Sequence, residues 1–238
     1  MAKPGKEQKA AGARSANSPT AVRPSTLFVD IGGVLLSDGW GRSQRERAIA
    51  EFGLDAEDFS NRHLQIWNSY QLGKCSLDEY FERVLFYRPQ SFSRAALKAF
   101  MFAQSTPCQD MLDLVARLKR KWGLKVVVVS NEGRELNAHR IHTFQLDRLT
   151  DIFVSSCYVQ RLKPDPGIFH LALDLAQVSP SEVVYIENTA MFVEVARGLG
   201  IQALLHKSFT ETRTALAQLG LGDDDDDGAR APGARVQM

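Results

Sequence analysis

Apolar residues in this chain fall into two alternating rhythms. Short unbroken runs recur at Leu27–Val29, Val126–Val129, Ile152–Val154, Glu182–Ile186 and Ala203–Leu205. Their β-branched character suits strands buried on both faces. Between them, apolar positions repeat at helical spacing. Met111, Leu114, Val115, Leu118 and Trp122 form one stripe, closed by Gly123. Ile168, Leu171, Ala172 and Leu175 form a second, and Phe192, Val195, Ala196 and Leu199 a third, stopped by Gly200. Such stripes mark helices with one buried face, and glycine suits the turn that ends them. Asp165 followed by Pro166 reads as an N-cap with proline at the first helical position. This alternation predicts an α/β fold, a parallel sheet with helices on both faces.

The rhythm breaks between residues 40 and 105, where only helical stripes occur. Ala48, Ile49 and Phe52 mark one helix, and Leu64, Trp67 and Tyr70 a second. Ser76-Leu77-Asp78-Glu79 is a capping box that opens a third, with Tyr80, Phe81 and Val84 inward. Leu97, Phe100 and Met101 mark a fourth. An all-helical stretch inserted after the first strand predicts a cap over the strand ends, placed to exclude water and select substrate. The expected division is therefore an α/β core from residues 25–39 and 106–221 and a helical cap from 40–105. Two tails flank it. Residues 1–24 are basic and poor in groups to bury, which predicts disorder. A transit peptide would need a helix that Pro4, Gly5, Gly12 and Pro19 interrupt. Residues 222–238 carry the run Asp223–Asp227, which lacks the alternating ligands of a calcium loop and reads as a solvated acidic tail.

Composition narrows the class. The 238 residues carry a net charge of +1, with 44% hydrophobic and 24% charged residues. That is ordinary for a globular domain and gives no electrostatic footprint for nucleic acid. No apolar run approaches the roughly 20 residues of a membrane helix, and the first 20 residues lack the apolar centre of a secretory signal. Cys75, Cys108 and Cys157 have no metal-type spacing and read as reduced thiols of a cytoplasmic protein.

The candidate chemistry sits where apolar runs end. The first strand runs into Asp30-Ile31-Gly32-Gly33. Ser130-Asn131 follows the second, Lys163-Pro164-Asp165 precedes a helix, and Glu187-Asn188 ends the fourth strand. In an open parallel sheet the carboxyl ends of the strands share one edge, where ligands bind. Asp30, Ser130, Lys163 and Glu187 are therefore expected in one pocket. A fixed, desolvated carboxylate beside positive charge is a nucleophile able to form a covalent intermediate. Backbone amides at Gly32 and Gly33 can turn toward an oxyanion, Ser130 can donate to a phosphoryl oxygen, and Asn131 can orient substrate. Lys163 can offset developing charge. Glu187 with Asn188 offers hard oxygens suited to Mg²⁺.

These segments, in this order, resemble the motifs of the haloacid dehalogenase superfamily of aspartate-nucleophile hydrolases. Phe28-Val29-Asp30-Ile31-Gly32-Gly33-Val34-Leu35 is similar to its first motif and Val129-Ser130-Asn131 to its second. Lys163-Pro164-Asp165-Pro166-Gly167-Ile168-Phe169 is similar to the third. Tyr185-Ile186-Glu187-Asn188-Thr189 and the helix through Ile201 are similar to the fourth. The resemblance covers roughly residues 25–207 and implies a Rossmann-like sheet with a subfamily I helical cap. It implies Asp30 as nucleophile, Ser130 as phosphate ligand, Lys163 as charge stabiliser, and Mg²⁺ on Asp30, the Gly32 carbonyl, Glu187 and Asn188. Gly32, Gly33 and Asn131 would face substrate. The implied activity is a Mg²⁺-dependent phosphatase of a small phosphorylated metabolite.

Two departures from the family pattern stand out. Gly32 occupies the place where most phosphatases of the family carry an acid/base aspartate, and Asn188 replaces a usual metal-binding aspartate. General acid–base help is worth about 10²–10⁴-fold, so an attenuated phosphatase with weak Mg²⁺ binding is expected, with Asp38 as a substitute acid. Two alternatives follow. One is a non-catalytic descendant that binds a ligand or protein. The other is a metal-free dehalogenase-like hydrolase, against which Phe192 stands where a water-activating aspartate is expected. Trp40, Trp67, Tyr70 and Phe86 are candidate entrance residues or cap core. His63, His139, His142, His170 and His206 fall outside the motifs and receive no role.

Overall fold

The computed structural model describes residues 23–223. Strand β1 (Thr26–Val29) leads into helices α1 (Arg42–Phe52), α2 (Ala56–Gln71), α3 (Leu77–Val84), α4 (Arg94–Ala103) and α5 (Gln109–Trp122). Then come β2 (Lys125–Ser130), α6 (Arg134–Thr143), β3 (Ile152–Ser155) and α7 (Ser156–Val159). The chain continues through α8 (Pro166–Ala176), β4 (Val183–Glu187), α9 (Ala190–Gly198), β5 (Gln202–Leu205) and α10 (Phe209–Gln218). The five strands form one sheet in the order β3-β2-β1-β4-β5, and every pairing is parallel. This is the α/β, Rossmann-like architecture expected, with helices inserted between β1 and β2.

The sheet is buried on both faces because its strands alternate two apolar sets. Leu27, Val29, Val126, Val128, Val184 and Ile186 meet Met111, Leu114, Val115 and Leu118 of α5 and Leu216 of α10. Phe28, Val127, Val129, Val183 and Tyr185 meet Ile168, Phe169, Ala172 and Leu173 of α8 and Val193 and Ala196 of α9. Each fully buried large aliphatic or aromatic side chain contributes about 1.5–3 kcal/mol relative to exposure. Strand order places the topological switch between β1 and β4, since the chain leaves β1 toward β2 and later returns to β1's other side. A crevice at that switch, at the carboxyl ends of the strands, is the usual ligand site of open α/β sheets.

Helices α1–α4 enclose a separate apolar cluster that includes Trp40, Phe59, Tyr70, Tyr80, Phe81, Leu97 and Met101. Their starts are capped as the sequence dictates. Asp55 accepts from the amides of Glu57 and Asp58, Ser76 and Glu79 form a reciprocal capping box, and Ser93 accepts from Ala96 N. The two chain crossings beneath these helices are tied together. Ser37 N donates to Thr106 O at 2.9 Å, Ser37 Oγ donates to Gln104 O at 2.8 Å, and Thr106 N donates to Ser37 Oγ at 2.9 Å.

Some inward positions differ from the expected stripes. Leu64 is 73% exposed, because α2 turns Phe59, His63 and Tyr70 inward instead. Leu175 is 49% exposed, and α8 buries Phe169, Leu173 and Ala176 beside Ile168 and Ala172. Asp223, expected in a solvated tail, is buried, and its carboxylate accepts from Arg117 and Arg213. Arg23 stacks over the Trp122 ring at 3.9 Å. The rest of the expected tails, 1–22 and 224–238, lies outside the described residues. Among the described residues, no helix is long and apolar enough to cross a membrane.

Candidate active site

Sheet register assembles the site. Val29 pairs with Ile186 on one side and Val128 on the other, so Asp30 and Glu187, one residue beyond, and Ser130, two residues beyond, end three adjacent strands at one edge. The Asp30 amide continues the ladder by donating to Ile186 O at 3.1 Å. Lys163, from the loop before α8, places Nζ 3.1 Å from Asp30 Oδ1 and 2.6 Å from Glu187 Oε2. Tyr185 OH also donates to Glu187 Oε2 and lies 3.1 Å from Lys163 Nζ. The lysine is therefore enclosed by two carboxylates and a phenol, all buried.

Two neighbours hold Asp30 and Lys163 in place. Asp30 Oδ1 accepts from the amide of Ile31 at 2.8 Å, and the residue lines the cavity above. Asn131 clamps the backbone of Lys163: its Oδ1 accepts from Lys163 N and its Nδ2 donates to Lys163 O, both at 2.9 Å. Burial alone would lower the basicity of Lys163, but the charges of Asp30 and Glu187 more than offset it and hold the ammonium charged. Burial and the nearby Asp30 push the Glu187 carboxyl up, with Lys163 and Tyr185 opposing. Burial pushes the Tyr185 phenol up.

Above this group lies a cavity of about 270 Å³, lined from the sheet by Asp30, Gly32, Ser130, Asn131, Glu132, Lys163, Asn188 and Phe192. From the helical insertion it is lined by Trp40, Gly41, Arg45, Trp67 and Gln71. Of the candidate entrance aromatics, Trp40 and Trp67 reach it, whereas Tyr70 and Phe86 pack within the helical cluster. Ser130 Oγ is 3.5 Å from Glu132 Oε1, too long for a strong bond, so the hydroxyl remains able to donate to a bound group. Phe192 sits with its ring centroid 5.1 Å from Lys163 Nζ.

The two glycines after Asp30 differ in kind. Gly33 has φ +70°, and a Cβ there would lie 1.9 Å from Asn188 Nδ2. Only glycine fits that close, left-handed position. Its amide donates to Leu36 O at 2.7 Å, so that group closes the turn and is not free for substrate. At Gly32 a Cβ would meet nothing nearer than Asp38 Cα at 3.7 Å and Arg140 Nη1 at 3.8 Å. Position 32 has room for a side chain that the sequence does not supply.

Sequence reasoning missed the pair beside that space. Glu132 and Arg140 form a buried ion pair, 3% and 1% exposed. Arg140 also donates to the carbonyl of Ser37 and, through Nε, to Ser105 Oγ at 3.1 Å. One guanidinium thus joins the end of β2 to both chain crossings under the helical insertion. Burial pushes the Glu132 carboxyl up, Arg140 pulls it down and Asp30 adds to the rise. Glu132 follows Ser130-Asn131 directly, so its place at a strand end was the available signal. No such signal marks Arg140, eight residues on in a helix. His63, assigned no role, shares a hydrogen bond of 2.9 Å between Nδ1 and Tyr80 OH, and Tyr80 accepts from Trp40 Nε1 at 3.1 Å. Burial lowers its pKa to about 3.

The expected metal donors divide. Asp30, Gly32 and Asn188 line the cavity, and Asp38 joins them with Oδ1 accepting from Asn188 Nδ2 at 3.4 Å. Glu187 lies beneath, wholly buried, with Oε2 taken by Lys163 and Tyr185 and Oε1 by the amide of Thr189. Among the described residues, no group of three His, Cys, Asp or Glu side chains forms a metal cluster. Mg²⁺ commonly takes only one or two carboxylates and completes its shell with water and substrate phosphate. The hard-oxygen set of Asp30, the Gly32 carbonyl, Asn188 and Asp38 fits that thin form of site.

The model of the haloacid dehalogenase-like hydrolases matches residues 24–200. The rat protein "Bifunctional epoxide hydrolase 2" is 27% identical over 136 residues, 55% of this chain but 24% of the relative. The chain thus spans about a quarter of the length of that relative. "Phosphatase MT3486" of Mycobacterium tuberculosis is 26% identical over 209 residues, 82% of this chain and 92% of the relative. Among solved structures, a HAD family enzyme of Bacteroides thetaiotaomicron, in complex with magnesium and inorganic phosphate, superposes with a TM-score of 0.64. It is 22% identical and covers 77% of this chain and 94% of that one. This likeness is one of fold.

Proposed function

The chain belongs to the haloacid dehalogenase-like hydrolases, and from that premise we propose that it is a phosphatase of a small phosphorylated metabolite, working through an aspartyl-phosphate on Asp30. The observation that carries this reading is Lys163 Nζ held between Asp30 and Glu187 at the floor of the cavity. A binder without chemistry has no use for a carboxylate aimed at the ligand and braced by a buried cation. The magnesium and phosphate bound by the Bacteroides enzyme and the phosphatase among the relatives support the same reading.

In this mechanism the Asp30 carboxylate attacks phosphorus, the ester P–O bond breaks, and the leaving group departs as the alkoxide, which takes its proton from solvent. Water then attacks the phosphoryl group on Asp30, releasing phosphate and restoring the carboxylate. Lys163 and the Ser130 hydroxyl bind phosphoryl oxygens and offset the charge that builds on them. Asn131 acts by fixing the Lys163 backbone, and Glu187 with Tyr185 aims its ammonium. Asp30, the Gly32 carbonyl and Asn188 would hold Mg²⁺ with Asp38 beside them, and Glu187 supports the site through Lys163. Bound there, Mg²⁺ supplies Lewis-acid stabilisation of phosphoryl charge. With Gly32 offering no acid, the leaving group departs with little protonation, so esters with good leaving groups are favoured.

The test is phosphate release from acetyl phosphate and a panel of phosphorylated metabolites, with Mg²⁺ and with EDTA, by wild type and Asp30→Asn. Release that needs both Mg²⁺ and Asp30 is the expected result. Release that persists in Asp30→Asn removes the assigned nucleophile. Absence of release by folded wild-type protein, acetyl phosphate included, overturns the phosphatase reading in favour of a binding protein.

A further inference from the structure

Helix α2 ends against the loops that carry the catalytic groups. The peptide joining Asn131 to Glu132 lies beyond the last paired residue of β2 and before α6, so the sheet ladder does not hold it. Two side chains do. Gln71, the last residue of α2, donates from Nε2 to Asn131 O at 3.2 Å. At the other end of the same peptide, Glu132 N donates to Ser156 Oγ at 2.9 Å. Ser156 in turn donates to Gln71 O at 2.7 Å, which closes a ring of hydrogen bonds between the helical insertion and the core. The contact is close. A Cβ at Gly133 would lie 2.0 Å from Tyr70 Cε1, so only glycine admits the end of α2 there. Just past α2, Leu77 N donates to Glu135 Oε1 at 3.0 Å.

The peptide held in this way belongs to the residue that clamps Lys163. The Lys163 loop, between α7 and α8, lies outside helix and strand itself. Asp30 and Glu187 draw its ammonium, but Asn131 places the root of the side chain. If the Asn131 peptide rocks, the clamp moves with it, and a misplacement of about 1 Å at a reacting centre can cost about 10²-fold in rate. We propose that Gln71 is a positioning residue: by holding the Asn131 peptide it fixes Lys163, so the ammonium is aimed while the helical insertion is seated on the core. The inference rests on the phosphatase reading. It adds a residue of the insertion that acts on the chemistry through Asn131, although it also lines the cavity.

Two measurements on the full chain test this. The first needs no substrate. Hydrogen exchange at the Lys163 amide, which donates to Asn131 Oδ1, is read by NMR in wild type and in Gln71→Met, which keeps the length and removes the donor. Exchange at Lys163 is expected to quicken about 3- to 10-fold, while the Val127 and Val128 amides of β2 exchange as in wild type. An unchanged Lys163 rate overturns the proposal, and so does an equal rise along β2, which marks general loosening. The second is turnover of acetyl phosphate and p-nitrophenyl phosphate with Mg²⁺. Gln71→Met is expected to lower kcat about 3- to 10-fold on both, with KM nearly unchanged, and to cost nothing more in an Asn131→Ala background. A loss confined to KM or to one compound makes Gln71 a substrate contact and overturns the proposal, as does full additivity with Asn131→Ala. Absence of turnover by wild type sinks the phosphatase reading alone, and the exchange rates still decide whether Gln71 holds Lys163.

Discussion

The floor and the roof of the cavity are built on different principles. The floor is a set of matched charges delivered by sheet register: Asp30 and Glu187 from adjacent parallel strands, with Lys163 between them. The roof is an aromatic network. Trp40, Tyr80 and His63 are linked by hydrogen bonds, Trp67 packs its ring 5.0 Å from His63, and one arginine stands at its edge. Chemistry tolerates little displacement, and strands in a fixed ladder supply that constancy. Selection of a ligand needs shape and one or two polar contacts, which packed helices can vary without disturbing the floor. Arg140 is the joint between the two, bonded to Glu132 below and to Ser37 and Ser105 at the crossings.

Asp30→Asn should break the floor most completely, lowering turnover about a thousandfold or more while the unfolding midpoint stays near that of wild type. Retained turnover would move the chemistry elsewhere. Lys163→Met should cost both function and stability, because it leaves Asp30 and Glu187 as unpaired buried carboxylates. Breaking one partner of a buried pair costs about 3–5 kcal/mol, readable by urea unfolding. A variant as stable as wild type would show that the floor is not held by this pair.

At the joint, Arg140→Met should destabilise by a similar or smaller amount, about 3 kcal/mol. It should also raise protease sensitivity at the Ser37 and Ser105 crossings. Unchanged sensitivity there would separate the ion pair from the crossings. Gly32→Asp sharpens the comparison by adding what the floor lacks. The position has space, so the variant should fold, and turnover of alkyl phosphates should rise roughly tenfold or more with little gain on acetyl phosphate. An equal gain on both would rule out leaving-group protonation as the cause.

At neutral pH the smallest effect belongs to the roof, whose contribution shows only as the solution is acidified. His63 is held neutral, with its pKa lowered to about 3 from 6.5. The unfolded chain therefore takes up a proton that the folded chain refuses between those values. Its contribution to stability is complete above pH 6.5 and is lost as pH falls toward 3, at up to about 1.4 kcal/mol per pH unit. His63→Gln keeps a hydrogen-bonding partner for Tyr80 and removes the titration. Its urea midpoint should fall less steeply over this window, and a parallel fall would acquit His63.

The floor was largely legible in the sequence and the roof was not. Strands such as Val126–Val129 announce themselves by unbroken β-branched runs, and the parallel topology then places polar residues after each run at one edge. That reasoning puts Asp30, Ser130, Lys163 and Glu187 in one pocket; the first three line the cavity, and Glu187 lies buried beneath it. It does not reveal that Glu187 is spent on Lys163, Tyr185 and Thr189, because Tyr185 reads as one more apolar strand residue. Nor does it foresee Asn131 gripping the Lys163 backbone. In the roof, helical spacing leaves the inward face ambiguous by one position. Leu64 therefore points to solvent, and His63 beside it becomes core. The Glu132–Arg140 pair spans a strand end and a helix face, a relation that no local period encodes.

The most direct test of the account is to catch the intermediate. Wild-type protein turning over acetyl phosphate with Mg²⁺ is quenched in acid, digested with protease and mapped by mass spectrometry. The account predicts one phosphoryl group on the peptide that carries Asp30, and none in Asp30→Asn. Turnover with the phosphoryl group on another residue, or with no phosphoenzyme at any quench time, would contradict it.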